Sequence, residues 1–369
     1  MADPLRPQPP KCQPVRGCAL IPATLSKRLP GLGWAALVWA CLLSPGVSKA
    51  ALASTNTAAV TAIQNPAATS TYVPNPDVVR TMVERGLLTF TGKPNLREAW
   101  ASLVSSNDVI GIKVFSAPGP LSGTRPAVVE AVVQTLIASG HSPSKIVLWD
   151  KRRYELRGAG WPEIADRLGI RCIAAAEAGW EASKFYENPL LGRPLIDELE
   201  YDKKADGVGR RSHLTRLLTR DVTRIISIAP SLNHNHAGVS GHVLGLAYGS
   251  FDNTLRFENN PDRISETVPE LLATPELIDH LALCITDALI CQYRGEDRTL
   301  LHYTVALNEL RFSRDPIALD ALTLVDIENA RKSNPTDTEK PFKSELYNNT
   351  ELLELGVADP KRIQVTRVP

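Results

Sequence analysis

The chain has 369 residues and a near-neutral balance of 41 Lys and Arg against 40 Asp and Glu. This excludes the strongly basic footprint of a duplex-binding protein, and no nucleic-acid partner is expected. With 43% hydrophobic and 22% charged residues, the composition is that of a foldable globular chain with a sizeable core, not of a disordered or fibrous one.

Residues 1–50 read as a signal or export segment. Arg6, Lys11, Arg16, Lys27 and Arg28 precede a thirteen-residue apolar run, Gly31 to Leu43, and the small-residue stretch Ser48-Lys49-Ala50. A positive region, a short apolar region and small residues in that order form a secretory signal, and the run is shorter than a bilayer span. The expectation is therefore an exported, periplasmic protein that touches a membrane only through this segment; retention as an uncleaved anchor is the alternative. Cys172, Cys284 and Cys291 remain after the segment. Three is odd, so at least one thiol stays unpaired, and a Cys284–Cys291 disulfide competes with a simple buried Cys284. With no Cys-x-x-Cys, no iron–sulfur cluster is expected.

Residues 51–75 are small, polar and aperiodic and read as a linker. The domain follows from 76 to 369. Helical patterns cover 77–88 and 95–104, and Asp108 to Phe115 is an apolar run of strand length. After the loop 116–126, Thr124 is placed as the N-cap and Pro126 in the first turn of a helix ending before Gly140. Lys145 to Asp150 is a second buried strand, 152–168 a helix or broken helix, and Ile170 to Ala175 a third strand. Residues 201–216, with Lys203-Lys204 and Arg210-Arg211, read as a solvated basic stretch. Arg224 to Pro230 resumes the strands, followed by a helix over 275–282, a strand ending at Asp287, a helix from Pro316 through Arg331 and a last strand to Val368. This alternation predicts an α/β fold: a mostly parallel sheet covered by helices, in two lobes of about 76–200 and 201–369, with a cleft at the strand carboxyl ends.

Ligands of open α/β sheets sit beyond the carboxyl ends of the strands, so the polar groups placed there are the candidates. Asp150 and Asp287 each follow an apolar run, with the capping of a neighbouring helix as the plain alternative. His234 and His236 share one face of an extended segment, which suits two imidazoles on one divalent metal, with His242 or Asp287 completing the set, or general acid–base chemistry; hydrogen-bonded loop histidines are the other reading. Lys113 sits inside an apolar strand and needs an anionic partner, either Asp150 or a substrate carboxylate or phosphate. Catalytic roles fall to His234, His236, Asp287 and Asp150; substrate binding to Lys113, Thr124, Arg125 and Asn233; metal binding to His234, His236 and His242. The expected partner is a small molecule.

Val109-Ile-Gly-Ile-Lys-Val, Thr124-Arg-Pro126, Lys145-Ile-Val-Leu-Trp-Asp150, Ala229-Pro-Ser-Leu-Asn-His-Asn-His-Ala-Gly-Val-Ser240, Ile285-Thr-Asp287 and Ser313-Arg-Asp-Pro-Ile-Ala-Leu-Asp320 together resemble the bacterial and archaeal family called domain of unknown function 362 over roughly residues 105 to 367. Members of that family are often exported, and some carry iron–sulfur modules. Many place a Lys before the loop His and a Lys-Asn pair after it; Asn233 and His242-Val-Leu-Gly245 stand there in this chain. The strand, loop, Thr-x-Pro, helix layout also looks like the nickel-pincer lactate racemases. The family has no settled reaction, so this resemblance bears on fold and pocket more than on function. The candidate residues themselves point to an exported enzyme on a small anionic substrate, or alternatively to a non-catalytic metal or small-ligand binding protein, and the racemase likeness adds a racemase-like enzyme as the remote alternative.

Overall fold

The computed structural model describes residues 57–188, 209–258, 260–336, 342 and 345–369, so the expected export segment and Lys203-Lys204 lie outside the described residues. Contacts divide the chain into Met1–Ser54 and Thr55–Pro369. The second unit is built on one nine-stranded sheet.

The strands are β1 (Ala58–Gln64), β2 (Thr69–Ser70), β3 (Val73–Pro74), β4 (Ile110–Lys113), β5 (Ile146–Asp150), β6 (Arg171–Ala174), β7 (Trp180–Glu187), β8 (Arg211–Thr215), β9 (Arg224–His234), β10 (Gly238–Val239), β11 (Leu281–Gln292), β12 (Thr304–Ser313) and β13 (Ile363–Val368). The helices are α1 (Pro76–Thr91), α2 (Leu96–Ala101), α3 (Pro126–Ala138), α4 (Arg153–Gly158), α5 (Trp161–Leu168), α6 (Ala175–Ala178), α7 (His242–Ser250), α8 (Leu255–Glu258), α9 (Pro261–Leu272), α10 (Pro275–Ile278), α11 (Pro316–Ser333) and α12 (Glu345–Leu352). The main sheet runs β13-β1-β12-β11-β9-β4-β5-β6, with β10 on β9; β2-β3 and β7-β8 are separate hairpins. Pairings from β11 through β6 are parallel, whereas β12 is antiparallel to both of its neighbours. The fold is α/β, as the alternation of apolar runs and helices predicts.

Side-chain alternation along the strands divides the core. Ile110, Ile112, Ile146 and Leu148 face the layer that holds α1, α3 and α5. Val147, Trp149 and Ile225 face the layer of α7 and α9. Lys113 follows the second parity, which aims its side chain at α7. Helix starts follow local chemistry: Asn75 caps α1 and Asp315 caps α11, each with Pro in the first turn.

Three expectations are corrected. The stretch read as a linker contains β1, a buried strand that pairs in parallel with β13 and antiparallel with β12; its Ala-rich sequence lacks the bulky pattern that marks a strand. The two lobes are one unit, because β9 lies directly against β4 in the middle of a single sheet. The strand expected to end at Asp287 runs on to Gln292, while the helix expected over 275–282 is the single turn of α10. No helix among the described residues is long and apolar enough to cross a membrane. All three described cysteines are free, and Cys284 and Cys291 are buried without a disulfide.

Candidate functional site

Strand order turns around between β4 and β9: from β4 the sheet proceeds to β5 and β6, from β9 to β11. The loops leaving two such neighbours diverge to opposite sides and open a crevice at the carboxyl ends. A cavity of about 270 Å³ occupies this place, walled by Lys113 and Phe115 at the end of β4, Asp150 and Arg152 at the end of β5, His234 and His236 at the end of β9, and the glycine-bearing face of α7. Of the residues singled out in the sequence, four, Lys113, Asp150, His234 and His236, line this cavity.

Lys113 and Asp150 form a buried ion pair. The ammonium donates to Asp150 Oδ1 at 2.8 Å and to the Val114 carbonyl at 2.6 Å, with the Trp149 ring 5.5 Å away. Asp150 Oδ1 also accepts from the Lys151 amide, and Oδ2 from the Ser116 amide, each at 2.8 Å. Both partners are thus engaged inside the protein. Room for the lysine comes from Gly249, where a Cβ would lie 2.2 Å from Lys113 Cε and 3.0 Å from Nζ. Gly249→Ala is expected to push the ammonium off Asp150 and cost about 1–3 kcal/mol, the range for overpacking, read by denaturant unfolding; unchanged stability would mean that the lysine has a second comfortable seat.

His234 has a fixed ring. Its Nδ1 accepts from the backbone amides of His236, at 3.2 Å, and Ala237, at 3.0 Å. Two N–H groups aimed at one ring atom require an unprotonated nitrogen there, which places the neutral imidazole's proton on Nε2. Burial further holds this histidine below its ordinary value of 6.5, with the Glu296 carboxylate opposing. The His236 ring lies 6.1 Å away, centroid to centroid, tilted by 60°, and no described residue hydrogen-bonds it.

The cavity's charges are largely committed. Arg152 pairs with Glu155 at 3.2 Å, and Lys151 donates to Thr254, whose hydroxyl donates to Glu258. Glu296 and Asp297 add carboxylates at the β11 side. The lining carries three cations and five carboxylates. Glu155 of α4, Glu258 of α8, Glu296 and Asp297 of the loop after β11, and Tyr248 of α7 were not among the sequence's candidates, because none of them belongs to a motif.

Five candidates lie elsewhere. Thr124 accepts from the Phe115 amide at 2.9 Å and donates to the Ile228 carbonyl at 2.7 Å, so it ties the segment after β4 to the middle of β9 rather than capping α3 or binding substrate. Arg125 is the residue at the start of α3; its guanidinium pairs with Asp287 at 3.0 Å and reaches the Leu121 and Ile290 carbonyls. Asp287, fully buried within β11, also accepts the Arg125 amide at 3.0 Å, so a carboxylate already holds the helix start to which a substrate anion was assigned. Asn233 is buried and braces the loop through the Glu296 amide at 3.2 Å. His242, the third expected metal ligand, is buried with Nδ1 on Ser227 at 2.8 Å and Nε2 on Thr286 at 3.1 Å, and both nitrogens are occupied. Among the described residues no group of three or more His, Cys, Asp or Glu is placed to hold a metal. The expected basic stretch is also tied down where it is described: Arg210 and Arg211 both pair with Glu187.

Next to His242, Asp320 of α11 caps α7, each oxygen accepting one amide, from His242 and Val243, at 2.8 Å. Burial pushes this carboxyl from 3.8 up to about 7, against the pull of those amides, while burial pushes His242 from 6.5 down to about 3. The signs oppose. A raised folded value lends stability that is present below pH 3.8 and is lost as pH rises through about 7; a lowered one lends stability present above pH 6.5 and lost as pH falls toward 3. Their slopes cancel in the wild type between roughly pH 4 and 6.5. Asp320→Asn is expected to unmask the histidine, losing stability as pH falls below about 6.5 with a slope approaching ~1.4 kcal/mol per pH unit. Denaturant unfolding at several pH values measures it, and a flat profile in the variant overturns the assignment.

Comparisons with known proteins add little. The chain matches no protein-family model and no curated protein. Among solved structures it is similar to a crystal structure of a Thermotoga maritima protein, with TM-score 0.35 and 11% identity over 70% of this chain; it spans 59% of that protein's length.

Proposed function

We propose that this chain is an exported enzyme that moves a proton on a small polar molecule bound in the crevice between β4 and β9. The observation that carries the reading is the pair His234 and His236 on the wall of that crevice, with the His236 ring held by no described residue. An imidazole with both edges available next to a ligand cavity is equipped for general acid–base chemistry. Metal chemistry fits the donors less well. To ligate through Nε2, His234 would have to carry its proton on Nδ1, against two backbone N–H groups.

The ligand charge follows from the same inventory. Lys113 and Arg152 are already paired and carboxylates outnumber cations, so the crevice favours an uncharged polar molecule over the anion first expected. Export is supported by the basic, then apolar, then small-residue order of residues 1–50. The blocks that resemble the domain of unknown function 362 fall on β4, the start of α3, β5, β9 and the loop that follows it, β11 and α11, and those at the ends of β4, β5 and β9 border the same crevice. Small hydroxy and oxo compounds that raise the protein's melting temperature are the substrates to assay first. His236→Ala is expected to cut turnover on the order of a hundredfold or more with binding retained. Turnover unaffected by the variant overturns the proton-transfer role of His236, whereas tight binding without turnover in the wild type overturns the enzyme reading in favour of a carrier.

A further inference from the structure

We infer that His234 serves as a neutral hydrogen-bond donor, through Nε2–H, to a carbonyl oxygen of the ligand, which makes the crevice a site for removing a proton next to a carbonyl. This rests on the proposed proton-transfer role of His236 and adds the substrate class. The premise is geometric: the loop after β9 folds back so that the amides of His236 and Ala237 both end on His234 Nδ1. The opposite edge of the ring carries the proton, has no hydrogen-bond partner among the described residues and belongs to a side chain that lines the cavity. A ring so held can neither accept a substrate proton at Nδ1 nor offer a lone pair at Nε2. It can only donate. A preorganised donor aimed at an oxygen that gains charge is effective where water is scarce, and a neutral imidazole can polarise a carbonyl in this way.

The neighbouring ring supplies the base. With centroids 6.1 Å apart and the rings tilted by 60°, one imidazole can meet the oxygen while the other meets the adjacent carbon. In the step, His236 takes the proton from that carbon, the C–H electron pair becomes a carbon–carbon double bond, and the carbonyl π pair moves onto oxygen, where the His234 N–H stabilises it. Return of a proton from His236 to carbon restores the carbonyl compound, at the same or the opposite face. No oxidant or reductant is needed. The carboxylates of Glu258, Glu296 and Asp297 around the pair repel a carboxylate-bearing ligand, so the best probes are uncharged carbonyls.

The first test needs no ligand. In protein labelled with 15N at histidine, the His234 signals, assigned by their loss in His234→Gln, are expected to show a proton on Nε2 and a bare Nδ1 at neutral pH. A proton on Nδ1, on both nitrogens, or a rapid exchange of tautomers overturns the inference while leaving proton transfer by His236 untouched. The second test incubates the protein in D2O with hydroxyacetone, dihydroxyacetone or glyceraldehyde and reads deuterium gained at the carbon beside the carbonyl by mass spectrometry. Wild type is expected to exceed His236→Ala on the order of a hundredfold; His234→Ala is expected to fall on the order of a hundredfold, with partial rescue by His234→Gln, which restores an N–H donor. Deuterium gain no faster than in protein-free buffer overturns the carbonyl assignment even if the tautomer is as stated.

Discussion

Asp150→Ala should destabilise the protein by about 3–5 kcal/mol, the cost of stranding one member of a buried ion pair. Lys113 and Asp150 are 3% and 5% exposed, and among the described residues the ammonium has one other acceptor, the Val114 carbonyl. Removing the carboxylate leaves a positive charge beside Trp149 and strips the Ser116 and Lys151 amides of their acceptor. Against a domain stability of about 5–15 kcal/mol, that loss brings the chain close to unfolding. The control is the double variant Lys113→Met/Asp150→Ala. It removes the charge together with its partner and keeps most of the lysine's apolar stem, so it should recover much of the loss. Chemical denaturation of wild type and the variants decides the point. If Asp150→Ala and the double variant unfold at the same midpoint, the lysine charge is not what makes the carboxylate necessary, and the three-way hydrogen bonding of Asp150 carries the effect alone.

The same pair shows how far the sequence could be read. An unpartnered lysine within Ile-Gly-Ile-Lys-Val-Phe requires an anion, and a neighbouring strand ending in Asp supplies one, so the Lys113–Asp150 contact follows from elementary electrostatics. The parallel core strands were legible for a similar reason: β4, β5 and β9 are apolar on both faces and bounded by turn residues. Legibility fails where the sequence is small or mixed. β1, Ala58-Ala-Val-Thr-Ala-Ile-Gln64, is buried almost throughout, yet four of its seven residues are Ala or Thr. β12 was missed because its buried Glu309 and Arg311 look like surface charge, and only the fold shows that Arg311 is held by Glu309 and by Asp326 of α11. α7, His242-Val-Leu-Gly-Leu-Ala-Tyr-Gly-Ser250, carries glycines that read as loop; the glycine at 249 is there because Lys113 lies against the helix.

The candidate site was legible in place more than in membership. Strand ends converging on one rim gave the crevice, and the His-x-His spacing gave its two imidazoles. The assignment of His242, Asp287, Thr124 and Arg125 to the same rim went astray because residue type and strand position do not reveal whether a polar group already has a partner. Those partners lie far along the chain: Asp287 meets Arg125 across 162 residues, and His242 meets Thr286 across 44. A recurring device explains Asp287. Helices α3 and α7, which begin with no side-chain cap of their own, are each capped by an aspartate from another element, Asp287 from β11 and Asp320 from α11. Both acids therefore serve the framework that positions the crevice.

That reading makes Asp287→Ala the second large expected effect, again about 3–5 kcal/mol. Asp287 is inaccessible to solvent; besides the Arg125 guanidinium it accepts the Arg125 amide at 3.0 Å and the Leu289 amide at 3.3 Å. Pairing the change with Arg125→Met should recover the part owed to the stranded guanidinium. It should not recover all of it, because the amide at position 125 still begins α3 and still lacks an acceptor, a deficit of about 1 kcal/mol by comparison with lost helix caps. A catalytic aspartate behaves in the opposite way: its loss abolishes turnover with little cost in stability, since groups placed for chemistry are seldom satisfied by the fold. Equilibrium unfolding therefore separates the roles without knowledge of the substrate. An Asp287→Ala protein as stable as the wild type would return this residue to the candidates for chemistry and would mean that α3 starts without help from β11.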